Sequence, residues 1–381
     1  MNETATVPVK TGSSANYDRL DTLVRKFERI FNFFVPVAAI LLALIVVGII
    51  ITAQGASPFE AYAALFDSAF VGSYNIANTL NTATPLLLTG LGIALAARAG
   101  IINLGGEGQI IMGGIFATMA ATSFPGIPAF LHIPVTLMAG FFGGMLWAAV
   151  PGYFFAKHGT NFMIVTILLN DIAGGIINYL VKGPMVEPPG YTPQSYLIAD
   201  TARLPVILDG TRLYPGILIA LVLAFAAYVL IYRTSFGHDL RALGENPVVA
   251  RHSGVNIFGM QILIVLLAGG LAGMAGASEI MGSQYRLRAG FLANYGYESL
   301  AVCMLGQKHP LGVVIAAIMF GALKAGRGGM VRAANLPTSL SLVLSGVIIF
   351  FVAVSPALMK LPRYLAVREM SRRQGAAKEV A

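Results

Sequence analysis

Apolar runs of nearly membrane-spanning length recur along this chain from residue 36 to residue 355. An α-helix needs about 20 consecutive apolar residues to cross the hydrocarbon of a bilayer, and it satisfies its own backbone hydrogen bonds while doing so. Of the 381 residues, 56% are hydrophobic and 11% are charged, whereas about a quarter of the residues in a soluble domain are charged. The sequence therefore predicts an all-α polytopic membrane protein.

We predict ten spans, some of them short or broken. They are residues 36–53, 75–97 (broken at Pro85), 100–120, 133–156, 162–181, 215–232, 258–277, 291–306, 311–325 and 337–355. A short interfacial helix is expected at 58–66, before the second span. Basic residues before the first span and after the last place both termini on the cytoplasmic side. The expected organisation is a cytoplasmic tail (1–34), a transmembrane domain (35–359) with a long outside loop (182–214), and a basic cytoplasmic tail (360–381).

Residues 234–256 form a polar segment between two spans, which we call the elbow. Asn246 is a good N-cap, Pro247 suits the first helical position and Gly254 can end a helix. This punctuation predicts two short helices joined by the residues GENP. Its apolar residues Leu240, Leu243 and Val248 are candidates to enter the groove of a partner, while Arg241, Glu245 and Arg251 could set the register. The alternative is an amphipathic loop that lies on lipid headgroups.

Polar side chains inside the predicted spans are the other candidates for function, since a charge facing lipid is costly. Glu107 and Gln109 lie in a glycine-rich segment; Glu107 either lines a pathway, or accepts hydrogen bonds from helix amides or pairs with Arg98. Asn170 either contacts a polar solute or bonds between helices, and Asp171 either faces a neighbouring subunit or couples to an ion.

Two further polar groups are less specific. Asn78, Asn81 and Thr82 form a stripe on the second span that either lines a pathway or holds helices together. Glu298 lies among Tyr285, Tyr295 and Tyr297, which either stack on a planar solute or form an interfacial aromatic belt. The histidines lack metal-ligand spacing and no nucleophile–base set is present, so we predict no metal, cofactor or catalytic residue.

The elbow sequence TSFGHDLRALGENPVVARHSGV (234–255) resembles the cytoplasmic elbow of ABC-importer permeases for branched-chain amino acids, ribose-type sugars and nucleosides. The similarity continues in INLGGEGQ (102–109), VTILLNDIA (165–173), LAVCMLG (300–306) and HPLG (309–312), in the family's order. The glycine-rich and LLN blocks, with the long outside loop, are most similar to the longer nucleoside-type permease subunit.

The resemblance implies a transport subunit in the inner membrane of a prokaryote that has no ATPase site of its own. It implies cytoplasmic ABC ATPase subunits that dock on the elbow at Gly237, Leu240, Arg241, Gly244, Glu245, Asn246, Pro247 and Arg251. It also implies a second permease subunit, either a paralogue or a second copy, and an extracytoplasmic solute-binding protein. Nucleosides are the expected cargo, with simple sugars or branched-chain amino acids as the alternative. An ion-coupled secondary transporter is the rival class, with Asp171 as its coupling candidate.

Overall fold

The computed structural model describes residues 38–124, 126–291 and 293–337, together with Val35 and isolated positions between 343 and 354. The predicted tails and most of the tenth span therefore lie outside the described residues. The chain divides into two compact units: residues 48–346 form one, and residues 1–47 with 347–381 form the other. The described part of the second unit is chiefly the start of the first helix.

Within the described ranges the chain is helical, with two isolated β-bridges and no strand. The helices are α1 (Ala38–Ala53), α2 (Pro58–Phe70), α3 (Ser73–Arg98), α4 (Gly106–Ser123), α5 (Ala129–His158), α6 (Phe162–Lys182), α7 (Gly216–Arg233), α8 (Ser235–Glu245), α9 (Pro247–His252), α10 (Ile257–Glu279), α11 (Tyr295–Leu305) and α12 (Pro310–Ala333). A π-helical turn, Ile280–Gln284, continues α10, and the long loop 183–215 contains a 3₁₀ turn at Asp200–Ala202.

Among the described residues, six helices are long and apolar enough to cross a bilayer: α3, α5, α6, α7, α10 with its π-helical extension, and α12. The helices α1, α4 and α11 are shorter or more polar. Together these nine helices coincide in order with the first nine predicted spans. The prediction of an all-α polytopic protein with short helices is confirmed.

The break predicted at Pro85 is wrong, because α3 runs without interruption from Ser73 to Arg98. Pro85 is buried in the middle of that helix. Proline is tolerated inside a membrane helix when neighbouring helices and side chains satisfy the backbone group that it leaves free. The predicted interfacial helix exists as α2, but one side of it packs on α12: a Cβ at Gly326 would lie 2.3 Å from the carbonyl oxygen of Leu65.

The third predicted span begins in the wrong place. Residues 101–105 are not helical, and α4 starts only at Gly106. A Cβ at Gly106 would lie 3.1 Å from Thr89 of α3 and 3.3 Å from Gly296 of α11. Thr89 precedes the end of α3, Arg98, by nine residues, which is about 14 Å along a helix. The N-termini of α4 and α11 therefore meet inside the bundle.

Candidate functional site

Glu107 connects the two helices that begin inside the bundle. Its Oε1 accepts a hydrogen bond from the backbone N–H of Asn294 at 2.7 Å, and its Oε2 accepts one from Gly296 at 2.8 Å. The N-terminal amides of a helix carry partial positive charge and lack intrahelical partners, so a carboxylate stabilises them. Of the alternatives for Glu107, the structure shows the contact with helix amides. The predicted pairing with Arg98 is wrong, because the non-helical residues 101–105 carry Glu107 deep into the bundle.

Asn170 of α6 holds the same region. Its Oδ1 accepts a hydrogen bond from the N–H of Gly108 at 2.9 Å, and its Nδ2 donates to the carbonyl of Leu104 at 2.9 Å and to the hydroxyl of Tyr297 at 3.2 Å. Asn170 thus links α6 to α4 and α11 through hydrogen bonds. Its neighbour Asp171 is exposed and is not brought to this region.

Gln109 is buried on the first turn of α4. Asn103 donates to its Oε1 at 3.1 Å, and the Oδ1 of Asn103 also accepts from the N–H of Gly105 at 2.9 Å. These bonds fix the turn that begins α4. Gln109 therefore contributes to the shape of this segment.

Glu298 forms a buried ion pair with Lys324 of α12, with Nζ and Oε2 2.6 Å apart. The side chains are 6% and 14% exposed, respectively. The ammonium group of Lys324 also lies 3.7 Å from the ring centroid of Tyr295. From the sequence we predicted Glu298 as a functional candidate but not Lys324, which lies near the end of a strongly apolar run.

A polar cavity of about 170 Å³ lies beside this ion pair. Its lining residues are Tyr74, Asn78, Asn81, Thr82, Arg212, Glu279, Ser283 and Tyr295. The predicted stripe on the second span therefore faces a cavity. Asn81 also holds the end of the long loop 183–215 in place, because its Nδ2 donates to the carbonyl of Arg212 at 2.6 Å and its Oδ1 accepts from the N–H of Tyr214 at 3.3 Å.

Glu279 is a functional candidate that the sequence reasoning missed. It is 8% exposed and is the last residue of α10, two residues beyond the predicted end of that span. An acidic residue directly after a long apolar run was a usable signal, but the stretch that follows resembles an ordinary outside loop.

The helix-capping residues of the elbow act as predicted. The hydroxyl of Thr234 accepts from the N–H of Gly237 at 3.1 Å and begins α8. Asn246 caps α9, since its Oδ1 accepts from Val248 at 2.9 Å and from Val249 at 3.3 Å. Pro247 is the first residue of α9. The chain therefore forms two short helices in succession, as predicted.

The apolar face of α8 is covered by this chain. Leu240 and Leu243 are buried in an apolar cluster that also includes residues of α3, α5, α6, α7 and α10. The expectation that they enter the groove of a partner is therefore wrong. An amphipathic pattern predicts that the apolar face of a helix is covered, but it does not say by what, and here the bundle covers it. Val248, 63% exposed, remains on the surface of α9 with Val249.

Two glycines bring α8 onto the bundle. A Cβ at Gly237 would lie 2.2 Å from the carbonyl oxygen of Ile231, and one at Gly244 would lie 2.0 Å from that of Arg98. No side chain fits at these distances, so α8 contacts the ends of α7 and α3 directly through its backbone.

A cluster around Tyr232 joins the elbow to three other segments. The guanidinium groups of Arg98 and Arg241 lie 5.7 and 5.6 Å from the Tyr232 ring, and the ring of His309 lies 5.2 Å from it. Arg98 donates to the carbonyl of Lys308 at 2.9 Å, and Arg241 donates to the carbonyl of Ile231. Burial, and secondly the nearby charge of Arg98, lower the pKa of His309.

The exposed part of the elbow is formed by its tip and by α9. Glu245, Asn246, Pro247 and Arg251 are all exposed. Of the residues predicted to couple to an ATPase, these four are accessible, whereas Gly237, Leu240, Gly244 and Arg241 contact the bundle. The elbow thus has an exposed surface that a partner can reach and an inner face that packs on the bundle.

The fold and these sites define a polytopic helical membrane protein with helices that begin inside the bundle and a structured elbow at one end. Residues 75–353 match the family described as branched-chain amino acid transport system / permease component, and the chain belongs to this family.

Three relatives illustrate the similarity. The Guanosine ABC transporter permease protein NupP of Bacillus subtilis is 33% identical over 334 residues, which cover 87% of this chain and 96% of NupP. The Glucose ABC transporter permease protein TsgB13 of Haloferax volcanii is 31% identical over 84% of this chain and 87% of its own length. The Guanosine ABC transporter permease protein NupQ, also of B. subtilis, is 27% identical over 64% of this chain and 78% of NupQ.

Proposed function

We propose that this chain forms the solute pathway of an ATP-driven ABC importer for nucleosides, in the inner membrane of a prokaryote. Its membership of a permease family and its similarity to NupP over nearly the whole of both chains support a transport role rather than catalysis. The resemblance to TsgB13 makes a simple sugar the alternative cargo. Guanosine and glucose have in common a ring with adjacent hydroxyl groups, so a polar pathway serves either one.

The elbow is the feature that supports the proposal that a separate ATPase drives transport. Its exposed tip and α9 present Glu245, Arg251 and the apolar side chain of Val248. This mixture of an apolar anchor with charges of both signs suits a helix that docks in a groove of a partner protein. Because α8 contacts the end of α3 through backbone, a force applied to the tip reaches the central helix of the bundle.

The docking proposal is tested with charge reversals at the tip. We expect Glu245→Arg and Arg251→Glu to reduce co-purification of the ATPase subunits with the full-length permease. Asp209→Arg, in the exposed outer loop, is the matched control and leaves co-purification unchanged. Normal ATPase recovery with both elbow variants combined contradicts docking at this surface.

We further propose that a second permease subunit completes the pathway and that an extracytoplasmic binding protein delivers the solute. NupP and NupQ are two permeases for guanosine from one organism, and both resemble this chain. This supports a paralogue rather than a second copy. The mass of the purified complex tests this proposal. We expect a mass that corresponds to one copy of each permease, and a mass that corresponds to two copies of this chain contradicts the proposal.

The cargo is tested by competition in cells that express the complete transporter. Uptake of radiolabelled guanosine is expected to fall when unlabelled nucleosides are added, and not when glucose or leucine is added. Efficient uptake of labelled glucose, with no uptake of guanosine, replaces the nucleoside assignment with the sugar alternative.

A further inference from the structure

We infer that the polar cavity beside α3 and α10 is a binding site for adjacent hydroxyl groups of a sugar ring, with Glu279 as its principal acceptor. The inference rests on the proposed transport of nucleosides or sugars, and it identifies where this chain contacts them. Three features of the cavity carry it: a buried carboxylate, a lining that both donates and accepts hydrogen bonds, and its size and position.

Glu279 is held as an acceptor at the deep end of the cavity. The hydroxyl of Tyr214 donates to Oε2 at 3.3 Å, and Nε2 of Gln284 donates to Oε1 at 3.1 Å. Ser283 lines the same cavity. A carboxylate has about four acceptor positions, so the two inner bonds orient it and leave acceptor capacity facing the cavity. Ser283 is exposed, and its hydroxyl can bond a ligand.

The backbone around Glu279 is unusual in a way that fits a binding site. The helix α10 changes directly from α to π geometry after Glu279, over Ile280–Gln284. The π turn ends at Tyr285, which has a left-handed backbone with φ of 55°. Single π-helical turns within membrane and soluble helices occur frequently at functional sites, because they redirect side chains. Glu279 and Ser283, four residues apart, both line the cavity at this turn.

The remaining lining residues match hydroxyl groups rather than a charged ligand. A hydroxyl group both donates and accepts, and the amide of Asn78 together with the hydroxyls of Thr82 and Ser283 can do both. The hydroxyl of Thr82 donates to the carbonyl of Asn78 at 2.8 Å, which leaves the lone pairs of its oxygen for a donor from the ligand. Arg212 at the rim opposes the binding of a cation.

Aromatic rings border the cavity on two sides. Tyr295 forms part of the inner wall, and Tyr74, 54% exposed, stands at the mouth. The faces of aromatic side chains commonly pack on the apolar faces of flat rings. The ammonium group of Lys324 contacts the Tyr295 ring, which links the cavity to the buried pair with Glu298.

The size and position of the cavity agree with entry from the side opposite the elbow. Asn78 and Thr82 lie in the first three turns of α3, whereas the elbow packs at the last turn, near Arg98. The volume, about 170 Å³, is below the roughly 300 Å³ of the smallest pockets that enclose drug-sized ligands. The cavity therefore accommodates the sugar ring and leaves a nucleobase outside it, near Tyr74.

The test measures equilibrium binding to the purified full-length permease in lipid nanodiscs, without the solute-binding protein, which has its own selectivity. The probes are guanosine, 2′,3′-dideoxyguanosine and guanine. We expect guanosine to bind at least about tenfold more tightly than the other two, as the loss of a hydrogen bond to a charged group implies. In Glu279→Gln this preference is expected to fall by about tenfold, while Asp209→Asn retains it.

Two further variants keep the inference falsifiable if Glu279→Gln fails to fold. Asn78→Ala and Thr82→Val change the rim without touching the bonds that hold Glu279, and each is expected to weaken guanosine binding more than dideoxyguanosine binding. Equal binding of guanosine and dideoxyguanosine by the wild type overturns the inference. So does a preference that persists in every folded cavity variant.

Parallel uptake experiments separate this inference from the proposed function. ATP-driven guanosine uptake by the complete transporter, with no hydroxyl-dependent binding to the permease, overturns the site and leaves the function standing. Absent guanosine uptake, combined with binding of glucose that depends on Glu279 and is lost with 2-deoxyglucose, supports the site and overturns the nucleoside cargo.

Discussion

Replacing Glu107 with glutamine removes one acceptor from the junction of two helices. In the wild type, the two carboxylate oxygens accept from the N–H groups of Asn294 and Gly296 at 2.7 and 2.8 Å. Hydrogen bonds to a charged group contribute about 1.5–3 kcal/mol each, and a neutral one contributes about 1 kcal/mol. Glutamine has one acceptor oxygen, so two charge-assisted bonds become one neutral bond. The expected loss in the free energy of unfolding is about 2–5 kcal/mol.

The single tryptophan of the chain reports on this region directly. A Cβ at Gly108, next to Glu107, would lie 2.8 Å from Nε1 of Trp147. Unfolding of the full-length protein in mixed micelles, followed by tryptophan fluorescence during titration with SDS, gives the free-energy difference. Asp209→Asn, a change of the same kind in the outer loop, is the control and leaves the curve unchanged. If Glu107→Gln unfolds at the same SDS concentration as the wild type, the amide bonds do not stabilise the junction. A stable variant with altered solute selectivity would instead support a pathway role for Glu107.

Further outcomes follow from other contacts. Glu298→Gln leaves the Lys324 ammonium buried without its partner and is expected to cost about 3–5 kcal/mol, whereas adding Lys324→Met restores part of that stability in the same SDS titration. Gly244→Ala places a Cβ 2.0 Å from a carbonyl oxygen of α3. It is expected to lower the free energy of unfolding by about 1–3 kcal/mol and to reduce the amount of solute transported per ATP hydrolysed. Gly174→Ala, whose Cβ meets nothing within 4 Å, changes neither quantity. The lowered pKa of His309 means that its neutral form is favoured by folding. The associated stability is present above about pH 6.5, the pKa in the unfolded chain, and is lost as the pH falls. In His309→Asn, which keeps an N-capping side chain, the free energy of unfolding is expected to vary less with pH between about pH 7.5 and 5.5. The same pH dependence as in the wild type contradicts this role of His309.

The membrane-spanning helices and the elbow's punctuation could be predicted from the sequence because each depends on a local pattern. A long apolar run has few structural options in lipid. The caps at Thr234 and Asn246 act on amides two or three residues away, so the residues that determine them are adjacent in the chain. The two-helix elbow and the order of the first nine spans agree with the structure for this reason, although the start of the third span and the break at Pro85 do not.

Contacts between distant segments could not be read from the sequence. The glycines at 105, 106 and 108 permit irregular backbone, but residues 101–105 continue an apolar run, and we predicted them to be helical. The partners of Glu107 lie 187 and 189 residues further along the chain. The amphipathic pattern of α8 predicted a covered face, but not that Leu240 and Leu243 would be covered by this chain rather than by a partner. The sequence placed Glu279 directly after an apolar run, but only the structure shows that it lines the same cavity as residues of α3.

We propose that ATP hydrolysis in a partner subunit drives solute through this chain by way of the elbow. The most direct test is uptake of radiolabelled guanosine into vesicles that contain the complete transporter, with ATP supplied on the ATPase side and all ion gradients dissipated. We expect uptake that requires ATP and that falls strongly with the combined Glu245→Arg and Arg251→Glu variant. Uptake that continues without ATP and stops when an ion gradient is collapsed would contradict the claim and favour an ion-coupled transporter.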